Sequence, residues 1–114
     1  MQNIEIPVNI NDTVYYLDTV FHLDDQINHI YHYEKEIREY RVRSIHISCN
    51  AKGSWNKSFR AFEVINNKVT PSGATIKFEE FNVPSGIAFS SKEEAEYRLE
   101  EVKKEADYGK LQTW

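Results

Sequence analysis

Apolar and polar side chains alternate along much of this chain, and only its last quarter changes to a helical period. Alternation sends successive side chains to opposite faces of a strand, while a period near 3.6 draws one stripe along a helix. Asp12-Thr13-Val14-Tyr15-Tyr16-Leu17 predicts a short strand introduced by a turn residue. Ile37 to Ser48 is the clearest strand, with Tyr40 and Val42 pointing one way and Arg41 and Arg43 the other. Ile45 and Ile47 continue the apolar face out of phase with Val42, so a bulge near Ser44 is expected to restore it. Asn50-Ala51-Lys52-Gly53-Ser54 reads as a loop. Ser58 to Ile65 and Thr75 to Val83 predict two more strands. Between them, Asn66-Asn67 predicts a tight turn, because Asn tolerates positive φ, and Thr70-Pro71-Ser72-Gly73 predicts another.

Two stretches depart from this simple alternation. From Phe21 to Glu36 both periods compete. Ile27, Ile30 and Tyr31 have helical spacing, while Ile27, His29, Tyr31 and Tyr33 alternate like a strand face. A long loop with a helical turn and the first half of a long hairpin both fit. Past Pro84-Ser85-Gly86 the pattern is sharper, with Ile87-Ala88-Phe89 predicting a strand end and Ser91 three residues before Glu94 predicting a helix start. Ala95, Leu99, Val102 and Ala106 form one apolar stripe, and Gly109 is the expected stop. The expected organisation is one domain over 1–114: a β body over about 1–89, a helix over about 91–108 and a tail over 109–114, with the role of Trp114 open. The expected class is mainly β (α+β), a small antiparallel barrel or bent sheet of about five strands with a C-terminal amphipathic helix.

Composition narrows the function more than the fold. A chain of 114 residues suffices for one core without covalent staples. The single cysteine, Cys49, allows no internal disulfide and fits a reducing compartment. The first residues lack a basic cluster followed by an apolar run, and no segment has the length of a membrane span. A cytoplasmic protein without membrane contact is therefore expected. The net charge of −4 is unevenly spread. Residues 1–34 carry six acids and no Lys or Arg, residues 35–60 are basic, and residues 61–114 are acidic again. Such a chain is no general nucleic-acid binder, yet it can present one positive face.

Asp12-Thr13-Val14-Tyr15-Tyr16, Arg41-Val42-Arg43-Ser44-Ile45-His46-Ile47 and Ile87-Ala88-Phe89-Ser90-Ser91-Lys92-Glu93-Glu94-Ala95-Glu96 resemble a loose group of small proteins encoded by phages and mobile elements of Gram-positive bacteria. The resemblance implies an SH3-like barrel closed by a C-terminal Lys-Glu-Glu-Ala-Glu helix, in the cytoplasm of a bacterial host cell. Residues 18–36, rich in His and Asp, depart from that pattern as an insertion.

Three sets of residues carry candidate chemistry. His22, Asp24, Asp25, His29 and His32 lie close together, and on a helix Asp25, His29 and His32 would share one face as metal ligands. The simpler account is a solvated polar stretch, because the spacing matches no common zinc signature. Arg41, Arg43 and Arg60, with Lys52, Lys57 and Trp55, could hold nucleic acid by phosphate contacts and stacking. The simpler account there is a solvent face whose Arg heads pair with Glu36, Glu39 or Glu63. The acidic helix surface needs no ligand, since acids favour a helix start. Cys49 and His46 would point to opposite faces of a strand, which argues against a nucleophile–base pair and leaves Cys49 a small apolar role. No phosphate-binding Gly-rich loop occurs. The leading expectation is thus a non-enzymatic interaction module without a cofactor, binding a host or phage protein through Trp55, Tyr31, Tyr33 and Arg43. One version is an inhibitor of a host defence nuclease. The alternatives are nucleic-acid binding through the basic strand and metal binding through the His22–His32 stretch. Oligomeric state is not expressed in the sequence.

Overall fold

Strand-forming residues dominate the first three-quarters of the chain, and the computed structural model, which describes residues 5–112 and side chains as far as Glu105, is mainly β. Its elements are β1 (Thr13–Asp25), β2 (Ile30–Cys49), β3 (Trp55–Ile65), β4 (Lys68–Lys77), a 3-10 turn (Phe78–Glu80), β5 (Ala88–Phe89) and α1 (Lys92–Gln112). The strands form one antiparallel sheet in the order β4-β3-β2-β1-β5. Successive hairpins build four of these strands side by side. β5 returns past them to pair with β1, matching Tyr15 with Phe89 and Tyr16 with Ala88.

Alternation gives this sheet a core on each side. Val14, Tyr40, Val42, Phe59, Ala61, Ile76, Phe81 and Ala88 are buried together with Val8, and Tyr16, Ile45 and Phe78 pack against them. On the opposite face Leu17, Phe89 and Ala95 are buried with Tyr15, Ile37, Leu99 and Val102 around them. The helical stripe therefore does what its period requires: Ala95, Leu99 and Val102 cover the outer face of β1 and β2. Beyond β4 the chain takes the 3-10 turn, and Phe81 bridges by its backbone to Ala88.

The bulge expected near Ser44 is present. Val42 pairs with Ala61 and Ser44 with Arg60, leaving Arg43 over, so Ile45 regains the core face. Asn66 and Asn67 both have positive φ, 53° and 63°, as a tight β3–β4 turn requires. Other expectations are corrected. Thr70-Pro71-Ser72-Gly73 is no turn but lies inside β4, where Thr70 to Ser72 face only Glu63 across an irregularity in the ladder. β4 is an edge strand, where a Pro without an N–H is tolerated. The strand expected over Thr75 to Val83 stops at Lys77, because the 3-10 turn intervenes. Gly109 does not end α1, which continues to Gln112. Cys49 is exposed rather than packed. Trp114 lies outside the described residues.

Gly86 is required by close approach. It is buried, its N–H donates to the Val83 carbonyl at 2.9 Å, and a Cβ there would lie 2.5 Å from the Glu80 carbonyl oxygen. Backbone cannot give way as a flexible side chain can. Gly86→Ala is therefore expected to cost about 1–3 kcal/mol in urea unfolding, the range for overpacking. An unchanged midpoint would show that the turn into β5 relaxes freely.

Candidate functional site

β1 and β2 are far longer than the body needs. β5 matches β1 only at Tyr15 and Tyr16, and β3 meets β2 only from Tyr40 onward. Past these points β1 and β2 continue together as a two-stranded arm, paired from Asp18↔Glu36 to Asp25↔Ile30. No residue from 18 to 36 belongs to either core or packs against one. The radius of gyration, 17.0 Å, exceeds the roughly 13 Å of a compact chain of this length, as a projecting arm requires. The open choice between loop and hairpin is thus settled as hairpin.

The tip is built by Asp25. Its Oδ1 accepts the N–H groups of Ile27 and Asn28 at 3.0 and 3.3 Å, and its Oδ2 accepts the Asn28 side-chain amide at 2.7 Å. These bonds, the Asn28 side chain foremost, hold the Asp25 carboxyl below its ordinary pKa. His29 takes φ 55°, which closes the turn.

Register sorts the arm into two unlike faces. One is apolar. Phe21 sits opposite Tyr33 and Leu23 opposite Tyr31, with the Phe21 ring 5.2 Å from Tyr31 and 5.6 Å from Tyr33. All four side chains are between 51 and 63% exposed. The other face is ionic. His22 sits opposite His32 with the rings stacked at 5.2 Å, and Glu34 and Glu36 follow on the same side of β2. His22 Nε2 lies 2.8 Å from Glu36 Oε1 and 3.8 Å from Glu34 Oε2. His32 Nδ1 is bonded to Asp24, and its Nε2 lies 3.2 Å from Glu34 Oε1. Arg38 Nη2 donates to Glu36 Oε2 at 2.9 Å, and Arg38 Nη1 reaches Glu63 at 3.4 Å. The bond to His22, then the Arg38 charge, lower the Glu36 pKa, and the bond to Asp24 raises that of His32. At the arm's base the buried Tyr40 donates its hydroxyl to Asp18 at 3.3 Å. Burial and the Asp18 charge hold that phenol protonated.

Of the residues expected to bind a partner, Tyr31 and Tyr33 meet on the apolar face. Trp55 does not join them, because it pairs with Cys49 at the opposite end of β2. Arg43 is exposed on the bulge, apart from both. The expected metal set also separates: Asp25 closes the tip, His29 belongs to the turn, and only His32 lies on the ionic face. The helix that would have aligned them is absent, since both flanks are strand. The basic set splits as well. Arg41 pairs with Phe62, and Arg60 stacks over the same ring at 5.3 Å, so these two share one face. Lys57 falls on the other face by alternation, beside Trp55 on β3, and Lys52 stands in the Asn50–Ser54 loop. Of the acids expected to pair with these arginines, Glu36 and Glu63 pair with Arg38 instead.

Comparison with known proteins adds no relative. No family model, curated protein or solved structure gives a significant match. Function must therefore be argued from this surface. Among the described residues, no helix is long and apolar enough to cross a membrane.

Glu34, Glu36, Phe21 and Leu23 are absent from the expected site residues, and His22 is expected only as a member of the His22–His32 stretch. The signal was present: hydrophobic alternation on both sides of Gln26–His29 places Phe21 with Tyr33 and His22 with His32 once a hairpin is assumed.

Proposed function

We propose that this chain is a protein-binding module that engages its partner with the arm. One observation carries the reading: four large apolar side chains lie in a single exposed stripe on a hairpin that contributes to neither core. An unsupported two-stranded hairpin is marginal in water, and a contiguous apolar stripe on a surface is a liability unless it meets a partner. Tyr and Phe suit that use, since they bury much area for little lost freedom.

The opposite face defines the partner. That face carries Asp18, Asp24, Glu34 and Glu36, while Lys35, the one Lys or Arg among residues 18–36, falls on the other face by register. A cleft with one apolar wall and one basic wall would complement both faces at once. Proteins that bind nucleic acid carry basic surfaces that could supply the basic wall. The reading therefore accommodates an inhibitor that occupies a nuclease, the role that the resemblance to phage-encoded proteins suggests.

Site-specific photocrosslinking tests it. A photoreactive residue at Tyr33, in the source cells, is expected to capture one protein, while the same residue at Lys68 captures none. Phe21→Ser with Tyr31→Ser should abolish the capture. Capture from Lys68 alone, or a self-crosslinked dimer from Tyr33, would overturn the reading. So would salt-sensitive binding to oligonucleotides that is lost in Arg41→Glu with Arg60→Glu, because it would place function on the Phe62 face.

A further inference from the structure

We propose that the ionic face of the arm is a binding site for a divalent transition-metal ion, zinc being the best fit, held by His22, Glu34 and Glu36. This does not depend on the protein-binding reading, which is carried by the apolar stripe of the other face and draws on the ionic face only for the charge of the partner. The donor atoms of these three residues lie within 4.8 Å of one another. Ligands at about 2.0–2.2 Å from a tetrahedral ion stand roughly 3.3 Å apart, so the side chains need only small rotations to close around one.

The arrangement is more specific than a group of nearby acids. Each carboxylate has one oxygen tied and the other turned to His22. Glu36 gives Oε2 to Arg38 and Oε1 to His22 Nε2. Glu34 gives Oε1 to His32 Nε2 and Oε2 to the His22 side. His32 is itself fixed at Nδ1 by Asp24. His32 and Arg38 thus act as positioning residues, orienting ligands as outer hydrogen-bond partners do in metal sites. Two carboxylates balance a dication, and one imidazole supplies the nitrogen that zinc, cobalt and nickel prefer over calcium or magnesium. The ion takes the position of the proton between His22 Nε2 and Glu36 Oε1, and the ring coordinates as neutral imidazole with its one proton on Nδ1. Three protein ligands leave the fourth tetrahedral position to water.

The full-length chain, freed of metal by chelator and carrying no affinity tag, is titrated with zinc chloride by calorimetry. One saturable equivalent is expected. His22→Gln and Glu36→Gln should each weaken binding tenfold or more, while His29→Gln and Asp25→Asn, at the tip, should leave it unchanged. Because none of these residues supports a core, circular dichroism should show all four variants folded. On the wild-type chain, zinc should shift the His22 and His32 ring resonances by NMR and spare His29 and His46. The absence of saturable binding would overturn the proposal, as would binding that survives His22→Gln or is lost with His29→Gln.

Discussion

Replacing residues 21–33 by an Asn-Gly turn is expected to leave the body folded and to abolish partner capture entirely. Val20 and Glu34 are direct partners in the ladder, so a two-residue turn between them continues the hairpin in register. Everything removed lies beyond both cores. The thermal midpoint should therefore stay within a few degrees, or rise as exposed apolar surface is lost, whereas crosslinking and zinc binding should both disappear. Scanning calorimetry on the shortened chain checks the first half and the capture assay the second. Collapse of the body would mean that the arm is structural after all, and the protein-binding reading would lose its main support.

Phe59→Ala is expected to be the most damaging single change. Phe59 is fully buried, and its ring meets Phe81 edge-on at 5.2 Å and Phe78 at 6.3 Å. These contacts hold the 3-10 turn and the Phe81 bridge against the sheet. Truncating a buried Phe costs about 3–5 kcal/mol, including the cavity left behind. Small domains have about 5–15 kcal/mol in total, so a large part of the stability goes. Urea denaturation measures the loss directly. Phe59→Leu should be milder, because much of the volume remains. A loss below about 1 kcal/mol for the alanine variant would show that the turn closes over the gap.

Much of the body was legible in the sequence, and the reasons are local. The phase slip between Val42 and Ile45 announced the bulge, Asn66-Asn67 announced its turn, and Ala95, Leu99 and Val102 announced the docked helix. Each signal is written within a few residues. What failed depended on distant neighbours. Thr70-Pro71-Ser72-Gly73 has turn chemistry, but pairing with β3 on either side keeps it in the strand. Thr75 to Val83 has strand chemistry, yet the chain must bend at Phe78 to bring Phe78 and Phe81 onto Phe59. The site was less legible still. His22 and Glu36 are fourteen positions apart, and their meeting depends on the register set by a four-residue turn that composition alone leaves ambiguous. The histidines drew attention as a cluster along the chain. The alignment that matters runs across it.

The two-residue strand β5 has a consequence larger than its size. Ala88 belongs to the interior core and Phe89 to the core beneath the helix, on consecutive residues of one short segment. Neither hydrophobic cluster can come apart without pulling on the other through a single peptide unit. The body should consequently melt as one cooperative body, with helix and sheet lost together, while the hairpin beyond it opens and closes on its own schedule.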